Sequence, residues 1–169
     1  SRKDIDDATA FVGKFGAKGL AWMRSTAAGF ESSIVKFFPE KSQALLREAT
    51  GADNGSLIFF VADTPSVVYQ ALGNLRLEIA AKLGYLKNSG YHFLWVYDFP
   101  LFEYDDKEKR FTSVHHPFTM PQTDNLEQLE KNPGSVLSQA YDFVCNGVEL
   151  GGGSIRIHDP VLQQKVFSI

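Results

Sequence analysis

The chain has little cysteine and no long apolar run. Cys145 is its single cysteine, which excludes an internal disulfide and a zinc site built from several cysteines. No run approaches the ~20 apolar residues of a membrane-spanning helix, and no basic stretch followed by an apolar one stands near the first residues. These absences predict a protein of a reducing cytoplasm, with neither a membrane segment nor a secretion signal.

The sequence also lacks the dense basic stripe that dedicated nucleic-acid modules carry. Its formal net charge is −3 over 169 residues. Residues 1–89 carry eleven Lys and Arg against nine Asp and Glu, whereas residues 90–169 carry six against eleven. The acidic second half suits a site that attracts Mg²⁺, although ordinary solvated surface accounts for most such charges.

The first half of the chain predicts alternating helices and strands. Apolar residues recur with helical spacing in three segments, and each segment stops at a glycine. The predicted helices cover residues 4–15, 39–50 and 64–83, and the predicted strands cover 17–23 and 56–62. Thr64 precedes Pro65, a combination typical of a helix N-terminus. The alternation is characteristic of a small α/β-type unit.

Turn formers over residues 85–90 predict a boundary, after which the pattern changes to mostly antiparallel sheet. The predicted strands cover residues 91–97, 101–104, 110–114, 140–150 and 154–158. A short helix is predicted near 125–131, and Asp159 is expected to cap a last helix that begins with Pro160. The chain as a whole therefore predicts an α+β fold.

A glycine triplet, Gly151–Gly153, marks the most informative segment, because three residues without a Cβ allow a ligand to approach the backbone closely. Asp142 and Glu149 precede it, and carboxylates suit Mg²⁺ and, through it, a nucleotide phosphate. Their spacing of seven places them on opposite faces of a regular strand, so they converge only across a bulge or bend. The alternative is a hairpin turn at Asn146-Gly147 that simply pairs the flanking segments.

The segment after the triplet alternates polar and apolar residues. In an extended backbone, Ser154, Arg156 and His158 share one face. The guanidinium fork of arginine binds a carboxylate through two parallel hydrogen bonds, which favours an acidic substrate if this face lines a pocket. The alternative is a solvent-facing strand whose arginine forms a surface ion pair.

Two adjacent histidines, His115 and His116, form a second polar cluster. In an extended backbone they point in opposite directions, so only one of them readily enters a given pocket. An imidazole there can bind a carboxylate or a phosphate, and a hydrogen-bonded structural role is the competing interpretation for the other ring. Zinc is not favoured, since no cysteine or helical histidine partner accompanies the pair.

Three segments of the second half, in this order, resemble the bacterial-type aspartyl-tRNA synthetases, a family of class II aminoacyl-tRNA synthetases. They are FLWVYDFPLFEYD at 93–105, HHPFTMP at 115–121 and NGVELGGGSIRIHDP at 146–160. In the first half, FGAKGLAW at 15–22, GSLIFFVAD at 55–63 and ALGNLRLEIAAKLG at 71–84 resemble the GAD insertion domain of that family. The resemblance implies a GAD insertion domain over residues 1–88, with its N-terminal part missing, and part of a class II catalytic domain over 89–169.

The resemblance also implies a role for particular side chains. The implied contacts to L-aspartate are His115, Arg156 and Ser154. Glu149 corresponds to the ATP-site carboxylate that holds Mg²⁺, and Asp142 stands where its companion is found. These roles favour one continuous, bulged strand through residues 140–150 over the hairpin.

The implied function is that of part of an aspartate–tRNA ligase, which uses ATP and Mg²⁺ to form aspartyl-adenylate and then charges tRNA. The implied parent is a cytoplasmic homodimer that charges the aspartate tRNA and, as a further option, the asparagine tRNA. The family's arginine-bearing motifs 2 and 3 are not among these residues, so we expect the chain alone to show no ATP–pyrophosphate exchange. The alternative is a non-catalytic module, in which residues 1–86 bind tRNA or protein and the remainder is a scaffold.

Overall fold

The computed structural model describes residues 1–87 and 90–169. It divides into two compact units, Ser1–Asn88 and Ser89–Ile169. The predicted turn over residues 85–90 includes 88 and 89, which lie outside the described residues. Within the described ranges, none of the helices combines the length and the apolar character needed to span a bilayer. The identity of the first unit as a GAD domain stays a prediction.

The first unit places helices against a three-stranded sheet. Its elements are α1 (Arg2–Gly13), β1 (Ala21–Thr26), β2 (Gly29–Glu31), a 3-10 turn (Val35–Phe37), α2 (Glu40–Thr50), β3 (Leu57–Phe60) and α3 (Pro65–Lys82). β1 lies between β2 and β3, and both pairings are antiparallel. Val12 of α1 and Ala71 and Leu75 of α3 are buried in one apolar cluster. The unit is therefore α+β.

Helix ends in this unit largely follow the local signals. Gly51 ends α2 in the left-handed conformation at φ 59°, as its position predicted. α1 begins earlier than predicted because Ser1 and Asp4 form a capping box. Thr64 precedes α3 but makes no capping hydrogen bond with its side chain. The first strand begins at Ala21 rather than 17, and β2 was not predicted.

The second unit combines a three-stranded sheet, a hairpin and two helices. Its elements are β4 (Phe93–Tyr97), β5 (Phe102–Asp105), β6 (Arg110–Ser113), α4 (Leu126–Lys131), a 3-10 turn (Pro133–Ser135), β7 (Ala140–Cys145), β8 (Val148–Ser154) and α5 (Pro160–Phe167). The strand order is β4-β7-β8, with every pairing antiparallel. Leu129 and Leu162 join α4 and α5 in a buried cluster. The predicted α+β fold is confirmed.

The prediction of one continuous strand over residues 140–150 is wrong, because the chain reverses at Asn146-Gly147. Both turn residues have positive φ, 50° for Asn146 and 82° for Gly147, as a two-residue turn of type I′ requires. The Asn146 side chain accepts from the His92 amide at 3.0 Å and donates to the Gly90 carbonyl at 2.7 Å. These two bonds attach the turn to the chain that leads into β4. The glycine triplet consequently lies inside β8.

The predicted strand over residues 154–158 is also corrected. Ser154 ends β8, and beyond it the backbone makes a single isolated bridge, between Arg156 and Thr119. Asp159 then caps α5 as predicted, since its Oδ1 accepts from the amides of Val161 at 2.7 Å and Leu162 at 2.9 Å.

Candidate functional site

The β4-β7-β8 sheet has one aromatic face and one carboxylate-bearing face. The ring centroids of Phe93 and Phe143 lie 5.4 Å apart in a stacked arrangement, and Trp95 lies 4.7 Å from Phe143. Asp142 alternates with Phe143 along β7, so its side chain points to the opposite face. This second face carries the predicted metal ligands.

The hairpin, with a bulge in β8, brings Asp142 and Glu149 to the same face. Glu149 pairs with Val144, two residues from Asp142 on the same side of β7. The register then shifts, because Gly151 rather than Leu150 pairs with Phe143. Asp142 is therefore opposite Gly152. The predicted convergence is present, and it arises from the turn and the bulge together.

The two carboxylates meet above Gly152. A Cβ on Gly152 would lie 2.5 Å from Oδ1 of Asp142, 3.3 Å from Oε1 of Glu149 and 2.9 Å from the carbonyl oxygen of Tyr141. Any side chain at this position would occupy the space between the carboxylates. We call Asp142 and Glu149 the carboxylate pair.

The three glycines do not serve the same purpose. A Cβ on Gly151 would meet no atom within 4 Å, whereas one on Gly153 would lie 2.8 Å from the Tyr141 hydroxyl. A Cβ on Gly152 would therefore meet backbone as well as side-chain atoms, one on Gly153 would meet only the Tyr141 side chain, and one on Gly151 would meet neither. The sequence pattern alone does not separate them.

The carboxylate pair suits a hard cation that also binds a ligand. Mg²⁺ usually takes one or two protein carboxylates and completes its shell with water and substrate phosphates. The described residues contain no group of three or more His, Cys, Asp or Glu side chains that would enclose an ion. Asp142 is half-buried and Glu149 is exposed, so the pair leaves an open side for phosphate oxygens. The residues present fit Mg²⁺.

Arg156 follows Gly152 along the same run of chain. In an extended backbone every second side chain points to the same face, so residues 152, 154 and 156 would share one face. The four residues from 152 to 156 would span about 13 Å. The backbone around Arg156 is held by two bonds: the Met120 amide donates to the Ile155 carbonyl at 2.8 Å, and the Ile157 amide donates to the Phe118 carbonyl at 2.9 Å. This pairing places Arg156 directly opposite Thr119.

Of the two histidines, His116 is the one that contacts Arg156. Nη1 of Arg156 donates to Nδ1 of His116 at 2.9 Å, and the Phe118 amide donates to the same nitrogen at 3.1 Å. His115 is exposed, and its ring packs edge-on against Phe99 at 4.8 Å between centroids. The predicted aspartate contact of His115 stays a prediction.

Ser154 lies between the carboxylate pair and Arg156 in the chain, but its side chain does not join the hydrogen bonds described above. It pairs with Ala140 at the last position of β8. The hydrogen bonds found in the described part of the chain include none from its hydroxyl. Its place in an amino-acid pocket therefore stays a prediction.

His116 is held neutral by its surroundings. Burial lowers the pKa of its imidazole below the usual value of 6.5, and the nearby charges of Arg156 and His115 lower it further. Sequence reasoning did not find the His116–Arg156 contact, because no local spacing relates residues 40 positions apart. The only sequence signal was the adjacency of two histidines.

Comparison with family models identifies the family to which the chain belongs. A family model described as tRNA synthetases class II (D, K and N) matches residues 17–169. The chain belongs to the class II tRNA synthetases. The matched range includes the carboxylate pair, the glycine triplet and Arg156.

Curated relatives of this class II synthetase chain include aspartate–tRNA ligases. It is 56% identical over 169 residues to the aspartate–tRNA(Asp/Asn) ligase of Brachyspira hyodysenteriae. It is 50% identical over 169 residues to the aspartate–tRNA ligase of Staphylococcus carnosus. Each alignment covers 100% of the chain and 29% of the relative. The chain therefore spans less than a third of the length of the relatives that it matches.

Proposed function

We propose that the chain is part of an aspartate–tRNA ligase and supplies one wall of its active site. The observation that carries the proposal is the convergence of Asp142 and Glu149 above Gly152, with Arg156 four residues further along the chain and paired with Thr119. An acidic pair together with a guanidinium that forms no ion pair in the described residues suits a substrate that brings both a metal-bound phosphate and a carboxylate. Aspartate with ATP is such a combination, and the named relatives support it.

In this proposal the carboxylate pair holds Mg²⁺. When bound, the ion neutralises charge on the phosphates of ATP. The contribution of the chain is to hold two oxygen ligands at a fixed separation on a β-hairpin, with Gly152 leaving the space between them open. Glu149 is the residue assigned to ATP, since its exposed carboxylate is the more accessible of the two.

Arg156 is proposed to bind the side-chain carboxylate of L-aspartate through its guanidinium fork. His115 and Ser154 are proposed as further contacts to the amino acid. The α-carboxylate oxygen of aspartate attacks the α-phosphorus of ATP, and pyrophosphate leaves. The 3′-terminal hydroxyl of the tRNA then attacks the acyl carbon, and AMP leaves.

The parent protein is proposed to work in the cytoplasm as a homodimer and to charge the aspartate tRNA. The names of two relatives, from Brachyspira hyodysenteriae and Desulfotalea psychrophila, include both Asp and Asn tRNA. The relative from Staphylococcus carnosus is named for aspartate alone. A charging assay with both tRNAs distinguishes the two cases.

ATP–pyrophosphate exchange by the full-length protein tests the proposed function. We expect exchange with L-aspartate and none above background with asparagine, glutamate or lysine. Asparagine and lysine offer Arg156 no side-chain carboxylate, and glutamate carries its carboxylate one bond further from the reacting centre. Charging of purified aspartate tRNA and asparagine tRNA then measures the second step, the transfer of the aspartyl group to tRNA. Exchange that requires another amino acid would contradict the proposal.

Removing one negative charge from the carboxylate pair should raise the Mg²⁺ requirement. For Glu149→Gln and for Asp142→Asn, we expect the Mg²⁺ concentration that gives half-maximal exchange to rise at least ~10-fold, because ligand charge sets the affinity of such sites. The neutral residues keep the shape of the originals.

Glu103→Gln is the matched control, since Glu103 is an exposed carboxylate on β5 outside the pair. Its Mg²⁺ titration should coincide with that of the unaltered protein. Unchanged titrations in both Asp142→Asn and Glu149→Gln would remove the pair from the metal site.

A further inference from the structure

The contact between Arg156 and His116 determines which nitrogen of the imidazole carries the proton. Arginine has only donors, so Nδ1 of His116 must accept the 2.9 Å bond from Nη1. The amide of Phe118 donates to the same nitrogen at 3.1 Å, which requires the same assignment. A neutral His116 therefore carries its proton on Nε2.

The position of the imidazole is fixed by its surroundings. The Thr119 amide donates to the His116 carbonyl at 3.1 Å, which closes the turn that holds the ring. The side-chain amide of Gln163 on α5 donates to the carbonyl of Pro117 at 2.8 Å. Phe118 packs edge-on against Phe167 of α5 at 5.8 Å between centroids. The ring thus meets Arg156 from a turn that is attached to a helix.

A neutral partner orients a guanidinium without cancelling its charge. Within residues 1–87 and 90–169, no carboxylate forms an ion pair with Arg156. An Asp or Glu at the position of His116 would occupy the fork with a negative charge and compete with an acidic ligand. The imidazole takes one N–H and leaves the other donors and the full positive charge available.

We propose that His116 is a positioning residue, whose neutral imidazole holds the Arg156 guanidinium in the orientation that receives the ligand carboxylate. The proposal rests on the proposed function, in which that ligand is L-aspartate. It assigns to the second histidine a role distinct from the direct contact proposed for His115.

Acidification should break this arrangement. The charged groups that act on His116 are Arg156 and His115, and Arg110 of β6 lines the same cavity as His116. The described residues place no acidic side chain in that cavity. Protonation turns Nδ1 into a donor and puts a second cation against Arg156. Because the pKa of His116 is lowered, its neutral form prevails at neutral pH, and aspartate affinity should fall as the pH drops through that pKa, below 6.5.

The test uses the full-length protein and three variants. Asparagine carries an acceptor oxygen at the same number of bonds from Cβ as Nδ1, whereas glutamine places its acceptor one bond further and alanine has none. We expect His116→Ala and His116→Gln to raise the KM for aspartate about 10-fold, the effect of one hydrogen bond to a charged group. His116→Asn should stay within about threefold of the unaltered protein, and the KM for ATP should not change.

Two further readouts separate positioning from a general structural role. As the pH is lowered from 7.5 through the pKa of His116, the KM for aspartate should rise in the unaltered protein and stay level in His116→Asn. The ¹⁵N chemical shifts of the unaltered protein at pH 7.5 should show His116 protonated on Nε2, a measurement that does not depend on how the variants fold.

Each contrary result has a distinct meaning. An Nδ1-protonated ring, an unchanged KM in His116→Ala, or an equal rise of the KM for aspartate and ATP would overturn the positioning role alone. No aspartate-dependent exchange in the unaltered protein would overturn the proposed function, and this role of His116 with it.

Discussion

Replacement of Gly152 by alanine should lower aspartate-dependent exchange by about 100-fold. The added Cβ would lie 2.5 Å from Oδ1 of Asp142 and 2.9 Å from the Tyr141 carbonyl oxygen. The carboxylate can rotate away, but the carbonyl belongs to the backbone of β7, so the hairpin itself must shift. Overpacking of this kind costs about 1–3 kcal/mol, and a displacement of about 1 Å at a reacting centre costs about 100-fold in rate.

Gly151→Ala is the matched control for this prediction. It makes the same chemical change one residue earlier in β8, where a Cβ would meet no atom within 4 Å. We expect its exchange rate to stay within about threefold of the unaltered protein and its melting temperature not to fall, because alanine loses less backbone entropy than glycine on folding. Equal losses in both variants would show that the separation of the carboxylates does not depend on Gly152.

Replacement of Arg156 by leucine should raise the KM for aspartate at least about 30-fold. The substrate carboxylate would lose its charged partner, and such truncations cost about 2–5 kcal/mol, where 1.4 kcal/mol corresponds to a factor of ten. Leucine keeps an apolar stem at the position paired with Thr119, so the bridge between the two segments should persist. Steady-state exchange with aspartate and ATP varied separately measures the effect.

Two further variants serve as controls for Arg156→Leu. Arg156→Lys keeps the charge but loses the guanidinium fork, so its KM for aspartate should lie between that of Arg156→Leu and that of the unaltered protein. Arg76→Leu removes an exposed arginine from α3 in the other unit and should leave the kinetics unchanged. Normal aspartate kinetics in Arg156→Leu would exclude this guanidinium from the amino-acid pocket.

Much of the secondary structure could be predicted because its signals are local. Gly51 ends α2 and Asp159 begins α5, each through a backbone conformation or a hydrogen bond that involves residues within four positions. Three of the five strands predicted for the second unit, β4, β5 and β6, were also found, with ends shifted by one or two residues. The last strand ends at Ser154 rather than covering 154–158. At Asn146-Gly147 the local hairpin signal was correct, and the expectation of a continuous strand overrode it.

The candidate site was predictable as a set of residues but not as an arrangement. Carboxylates, glycines and an arginine suggested a metal-bound phosphate and an acidic ligand from their chemistry alone. Their geometry depends on the register between β7 and β8, including the single extra residue of the bulge at Leu150. One residue of register decides which glycine lies under Asp142, and no feature within either strand specifies it.

The sequence by itself determined the α+β class, most of the helix ends and the residue types of the candidate site, since propensity, capping and side-chain chemistry act over a few neighbouring positions. Only the tertiary structure decided that the two carboxylates meet above Gly152 and that His116, rather than His115, contacts Arg156. Both depend on hydrogen bonds between distant segments, because pairing across a sheet brings together residues that the chain separates.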